Sequence, residues 1–276
     1  SVGLLDRELQ YYRRLIKEGF RVTFVTYDGR GGKEYRTRIA PINLIFNRFG
    51  FSKKAYIWWL INRHGRVVKR RSIVKTNQIV GGGIAKNFAR VGKIPFIVRA
   101  GHLPSDTAKW RYGEETQKAR KVTAREKRII ESADQVMVTT SFMMSTIMEN
   151  YNVEPWRIMV VPNYIDTSIF RPIDQSVPRK PLAGFIGRLE SKKNVVALVE
   201  SFSGLNIDLE IIGAGSLRGE LVELARLKNI ELRLRDPIPN HQLPLIYNRF
   251  SIYVQPSHLE HHPKTLLEAM ASHVPT

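Results

Sequence analysis

Two carboxylates eight positions apart, Glu260 and Glu268, flank what reads as a strand-to-helix turn. Glu260 follows the apolar run Ser251 to Gln255. Glu268 falls about a turn and a half into a helix opening near Pro263, since proline suits the first helical position. Between them, Lys264, Thr265 and Leu266 make the first helical turn. Backbone N–H groups there have no intrahelical acceptor and lie at the positive end of the helix dipole. Such a turn binds phosphate while carboxylates hold hydroxyls of a sugar or ribose. A surface loop followed by a solvated helix would carry the same two residues, so the pair alone is not specific.

A second constellation is Gly187-Arg-Leu-Glu-Ser-Lys-Lys-Asn194, directly after the apolar run Leu182 to Ile186. Gly187 lets backbone approach a ligand closely. Arg188 and Lys193 bring two cations to a helix start, a natural diphosphate clamp. Gly213 and Gly215 have Arg218 where a dinucleotide fingerprint wants its third glycine, so they are a weak dinucleotide signal and read as a loop near a ligand. His258, His261 and His262 invite a zinc reading, but no metallohydrolase helix motif accompanies them and no metal is expected. The chain has no cysteine, which excludes disulfides, a thiolate nucleophile and Cys-ligated metal.

Taken together, these motifs resemble glycosyltransferase family 4. Gly187-Arg-Leu with Lys193-Asn194 is similar to that family's donor-diphosphate motif, and Glu260-x7-Glu268-Ala-Met-Ala to its donor-sugar signature. Glu210-Ile-Ile-Gly-Ala-Gly215, Gln255-Pro-Ser257, Gly3-Leu-Leu-Asp-Arg-Glu8, Lys75-Thr-Asn-Gln78, Arg99-Ala-Gly101 and Val161-Pro-Asn-Tyr-Ile-Asp166 extend the likeness over essentially the whole chain. The resemblance implies a retaining transferase that uses a UDP- or GDP-sugar as substrate, with no tightly bound cofactor. It gives Arg188 and Lys193 the pyrophosphate, Glu268 the ribose, Glu260 the transferred sugar, and the N–H groups of Lys264, Thr265 and Leu266 a phosphate. His102 stands near the position of a histidine facing the donor sugar. His261 and His262 occupy the place of a customary glycine, which motivates an alternative: a degenerate, non-catalytic binding module. A sugar phosphorylase or nucleotide-sugar epimerase of the same architecture is a further rival.

The elements that must hold these residues alternate. Helices are expected over Leu4 to Glu18, Lys53 to Asn62, Gly81 to Val91, Glu114 to Ser132, from Ser141, over Asn194 to Phe202, from Ser216 to Leu227, over Asn240 to Asn248, and from Pro263. Strands are expected at residues 20–26, 39–46, 72–76, 95–99, 135–139, 182–186, 207–212, 230–234 and 251–255. This βα order predicts an α/β protein with parallel sheets. Under the resemblance it is two Rossmann-like domains of GT-B type facing a cleft. The expected domains are residues 1–170 on the acceptor side, a proline-rich linker over 171–181, and 182–276 on the nucleotide-sugar side. The first strand of the one and the last part of the other are expected to be missing.

Net charge is +19, and residues 1–172 hold 32 Lys+Arg against 14 Asp+Glu. That half should meet something anionic. No apolar run approaches the roughly 20 residues of a membrane span, and no signal peptide is visible. Lys53 to Arg71 interleaves Tyr56, Trp58 and Trp59 with cations, as an interfacial helix does; a packed core with solvated cations would read the same. Nucleic acid is not expected, because no recognition module is present. The expected partners are a nucleotide sugar, a glycan or lipid-linked acceptor, and an anionic membrane surface, with the protein cytoplasmic or peripheral at the inner membrane face.

Overall fold

The computed structural model describes residues 4–26, 32–65, 68, 71–173 and 181–276. Residues 174–180 of the expected linker lie outside these, as do Gly3 and the cations Arg66, Lys69 and Arg70 of the aromatic basic segment. The chain divides into two compact bodies, residues 9–162, and residues 163–276 with the chain start as far as Glu8.

In the body of residues 9–162, helix α1 (Leu4–Lys17) leads to β1 (Thr23–Val25), α2 (Gly32–Arg38), β2 (Asn43–Ile45) and α3 (Lys53–Leu60). A π-helical turn, Ile61–Gly65, extends α3. There follow β3 (Val74–Lys75), α4 (Gly82–Gly92), β4 (Phe96–Ala100), α5 (Pro104–Tyr112), α6 (Gln117–Glu131), β5 (Gln135–Val138), α7 (Ser141–Asn150) and β6 (Ile158–Val160). Among the described residues β1 pairs with β2, and β3-β4-β5-β6 form a parallel sheet in chain order. Its core joins Phe96, Val98 and Val136 of the strands to Ile129, Ile130, Met143 and Ile147 of the helices. Three hydroxyls fix helix starts by accepting an N–H three residues on: Ser52 from Ala55, Thr116 from Ala119, and Thr140 from Met143.

Several boundaries differ from expectation. The expected strand 39–46 begins only at Asn43, because Ile39 and Ala40 close the end of α2 through bonds to Tyr35 and Thr37. The helix expected from Glu114 starts at Gln117, where Thr116 supplies the cap. Helices α2 and α5 were not expected, since neither sequence carries an apolar stripe, and β6 is too short to announce itself.

The other body contains β7 (Leu182–Ile186), a 3₁₀ turn Ser191–Lys193, α8 (Val195–Ser201), β8 (Asp208–Ile212) and α9 (Arg218–Leu227). Then come β9 (Leu232–Arg235), a 3₁₀ turn Asn240–Gln242, α10 (Leu243–Tyr247), β10 (Ile252–Tyr253) and α11 (Lys264–Ala271). All pairings are parallel, in the order β10-β7-β8-β9. One face packs Leu198, Val199, Leu221 and Ala225, and the other Tyr247, Phe250 and Ala269. Every residue of β7 and β8 is buried, as expected for strands covered on both faces. Ser216 does not cap α9; Leu217 holds that position, its N–H bonded to the Leu189 carbonyl at 3.1 Å. Pro263 likewise precedes α11 as its cap residue, so Lys264 is the first helical residue.

Candidate active site

The strand order β10-β7-β8-β9 reverses direction at β7: the chain proceeds to one side through β8 and β9, then returns to the other side at β10. In open parallel sheets a crevice opens at the carboxyl ends of the strands where the order reverses. The loops leaving β7 and β10 therefore flank such a crevice. These loops carry Gly187 to Asn194 and Val254 to Pro263.

The first loop is held from below. Leu189 is fully buried, and its N–H donates to the Ala214 carbonyl at 3.0 Å. Gly187 N–H donates to Ile212 at 3.0 Å. Gly213 and Gly215 are needed for this contact: a Cβ at Gly213 would stand 1.8 Å from the Gly187 carbonyl oxygen, and one at Gly215 2.2 Å from that of Leu189. Both glycines thus let the β8–α9 loop support the loop bearing Arg188. Asn194 ends the 3₁₀ turn at φ 54°, a left-handed conformation that asparagine tolerates.

The second loop is tied to the first. His258 N–H donates to the Lys192 carbonyl at 3.1 Å, and Lys193 Nζ is ion-paired with Glu260 Oε1. Burial, together with the nearby Arg188 and Lys192, pushes the Lys193 ammonium down to about 8, against the pull of Glu190. Arg188 is exposed and lies 3.1 Å from Glu190. Gln255 ties the loop root to α11, accepting from Tyr253 at 2.9 Å and from Thr265 Oγ1 at 3.3 Å. His262 is a fixing point: Asn163 N–H donates to its Nδ1 at 2.9 Å and Asn163 Nδ2 to its carbonyl at 2.6 Å.

On α11, the first intrahelical bond runs from Leu267 N–H to the Pro263 carbonyl at 3.4 Å, which leaves the N–H groups of Lys264, Thr265 and Leu266 ahead of the ladder. The Lys264 ammonium pairs with Glu8 at 2.9 Å and lies 5.6 Å from the Tyr164 ring centroid. Glu268 has no solvent exposure; it accepts from Tyr247 OH at 2.9 Å and Asn240 Nδ2 at 3.5 Å.

Of the sequence-predicted residues, Lys193 and Glu260 are brought into contact, and Gly187, Gly213 and Gly215 share one pair of packed loops. Lys264, Thr265, Leu266 and Glu268 share α11. His102 belongs to the other body, in the loop between β4 and α5. Sequence reasoning gave no contact role to Glu190, Asn163, Tyr247, Asn240 or Glu8: the last four have partners 21 or more residues away in the chain, whereas Glu190 meets Arg188 two positions off. Among the described residues no group of three or more His, Asp or Glu is placed to hold a metal ion, and no helix is long and apolar enough to cross a membrane.

Residues 9–169 match the family model described as Glycosyltransferase Family 4, and residues 166–276 the one described as Glycosyl transferases group 1. The chain is 24% identical over 297 aligned positions to D-inositol 3-phosphate glycosyltransferase of Corynebacterium efficiens, covering 95% of this chain and 70% of that protein. It is 27% identical over 168 positions to alpha-maltose-1-phosphate synthase of Mycolicibacterium smegmatis, covering 53% and 43%. Among solved structures, sucrose-phosphate synthase from Thermosynechococcus elongatus superposes with TM-score 0.70 at 18% identity, over 86% of this chain and 62% of that one. Anabaena Alr3699/HepE in complex with UDP and glucose gives TM-score 0.69 at 10% identity, over 91% and 78%. At these identities the structural likeness establishes a shared fold.

Proposed function

The chain belongs to glycosyltransferase family 4, and from that we propose that it transfers a sugar, with retention of configuration, from a UDP- or GDP-sugar to a glycan or lipid-linked acceptor. The observation that carries this reading is the meeting of Lys193 and Glu260 where the order of strands reverses, beside the start of α11. A cation, a carboxylate and unpaired helix N–H groups at one crevice suit a pyrophosphate-linked sugar.

In this reading Lys193 exchanges Glu260 for the pyrophosphate when donor enters. Arg188, exposed at the loop, joins it and stabilises the negative charge that grows on the departing nucleoside diphosphate. Glu260, released, takes hydroxyls of the transferred sugar. The ribose would be met at the carboxylate of Glu268, which Tyr247 and Asn240 already orient. His102 is assigned to the donor sugar on the family resemblance alone. No cofactor is assigned. The lipid-linked acceptor follows from the basic first half of the chain, which favours work at the inner membrane face.

Calorimetric titration with UDP, GDP and their sugars, followed by an assay of nucleoside diphosphate release with and without acceptor, tests the proposal. Binding of one nucleotide and its sugar, with acceptor-stimulated release, is expected. Absence of binding to any of them would defeat it. Binding without turnover would favour the non-catalytic module that His261 and His262 suggest.

A further inference from the structure

We propose that the loop Asn47–Phe51 and helix α3 form a docking surface for an anionic lipid membrane. From Tyr35 to Ser105 the sequence contains fifteen Lys and Arg and no Asp or Glu. Within that stretch, Asn47 is buried and closes its own loop by gripping Phe51 twice: its Nδ2 donates to the Phe51 carbonyl at 2.6 Å, and its Oδ1 accepts from Phe51 N–H at 2.9 Å. Gly50 supplies the positive φ, 68°, that the turn requires. The result is a rigid loop that displays apolar rings: Phe49 is 50% exposed and Phe51 40% exposed.

The rings are organised. Phe49 lies 5.3 Å from Phe51 and 5.8 Å from Trp59, which stacks on the fully buried Tyr56 at 5.8 Å. The aromatic segment thus divides: Tyr56 belongs to the core, Trp59 is half-buried as a platform, and Trp58 is 69% exposed. Arg48 sits 4.6 Å over the Phe49 ring. Lys53 and Lys54 occupy the first turn of α3, where the helix dipole disfavours cations. They add positive charge beside the exposed rings, which an anionic surface would meet. Exposed Phe and Trp beside basic side chains suit the boundary between headgroups and acyl chains, where rings bury and cations pair with phosphate. Nucleic acid, the other anionic polymer, is the less suited partner because the apolar rings cluster with one another instead of lying along a track of cations.

This inference rests on the proposed function only for its purpose, access to a lipid-linked acceptor; vesicle binding is read without a donor sugar. The whole chain is mixed with vesicles of phosphatidylcholine alone or with added phosphatidylglycerol, and floated at low and high salt. Binding to the anionic vesicles alone, weakened by salt, is expected. Lys53→Gln with Lys54→Gln should weaken it about 30-fold, since one basic residue at such a surface is worth about 1 kcal/mol, or about fivefold. Phe49→Ser with Phe51→Ser should weaken it as well, while UDP affinity stays unchanged in both variants. In the unaltered protein, tryptophan fluorescence should shift to the blue on anionic vesicles, and Trp58→Phe should remove most of that shift. No binding to anionic vesicles, binding indifferent to these substitutions, or binding of single-stranded RNA through the same residues in preference to vesicles would overturn the proposal. UDP binding on the same preparation shows separately whether the donor site stands.

Discussion

Lys193 and Glu260, 67 residues apart in the chain, are ion-paired between the loops that leave β7 and β10. The pair ties the two loops together. Under the proposed function, a donor entering the crevice would separate them and engage each with a different part of the ligand.

The first prediction concerns pH. The folded protein holds Lys193 near 8, below its ordinary value of 10.5, so the ammonium is present below about pH 8 and lost above it. Affinity for the nucleotide that binds, UDP or GDP, should fall as pH rises through that value, since its phosphates are already ionised there. Glu260→Gln removes an anion that favours the ammonium, so the midpoint should move to lower pH. Titration calorimetry across this range checks both; an affinity that is flat with pH would remove Lys193 from the diphosphate site. Lys193→Ala should weaken UDP binding by about 10- to 100-fold, the worth of a charge-assisted hydrogen bond.

The second prediction concerns the glycines that support the loop. Gly213→Ala and Gly215→Ala each drive a methyl group into a backbone carbonyl, so the Gly187–Leu189 segment has to shift. Overpacking of this kind costs about 1–3 kcal/mol. Thermal melting should show that loss, with weaker UDP binding alongside it. Unchanged melting and affinity in Gly213→Ala would contradict the close packing of the two loops.

The third prediction addresses Glu268. Tyr247→Phe removes the hydroxyl that donates to a carboxylate with no solvent exposure. A buried acceptor deprived of a hydrogen bond should cost about 1–3 kcal/mol in denaturant unfolding. If Glu268 also meets the ribose, UDP should bind Glu268→Ala more weakly than it binds Tyr247→Phe. Equal affinities would leave Glu268 a positioning role alone.

The fourth prediction separates a structural carboxyl from the site. Glu126 is buried and accepts from Ser105 N–H at 2.8 Å, from Ser105 Oγ at 2.7 Å and from Tyr151 OH. Burial raises its pKa above the usual carboxylate value, outweighing these hydrogen bonds. The folded state then binds the proton more tightly than the unfolded one, so the stability linked to this group grows as pH falls toward the unfolded value and is lost as pH rises through the folded one. The stability difference between the unaltered protein and Glu126→Gln should therefore shift in favour of the unaltered protein between neutral and mildly acid pH. A shift in the other direction would show that folding lowers, rather than raises, the pKa of this carboxyl.

The sequence by itself determined the α/β class, most of the longer elements and the family, because helical and strand periodicities are local and because motifs such as Gly187-Arg-Leu and Glu260-x7-Glu268 are contiguous in the chain. It missed α2 and α5, whose polar sequences form helices without an apolar stripe, and it left open whether Tyr56, Trp58 and Trp59 face an interface or a core, which the structure divides: Tyr56 is buried and Trp58 exposed. Only the tertiary structure decided that Lys193 meets Glu260, that Gly213 and Gly215 serve as seats for another loop, and that His262 receives Asn163. The physical reason is distance along the chain: β8 beside β7 seats the glycines under the Arg188 loop, β10 beside β7 brings Glu260 to Lys193, and Asn163 lies 99 positions from His262, so no property of either segment alone specifies its partner.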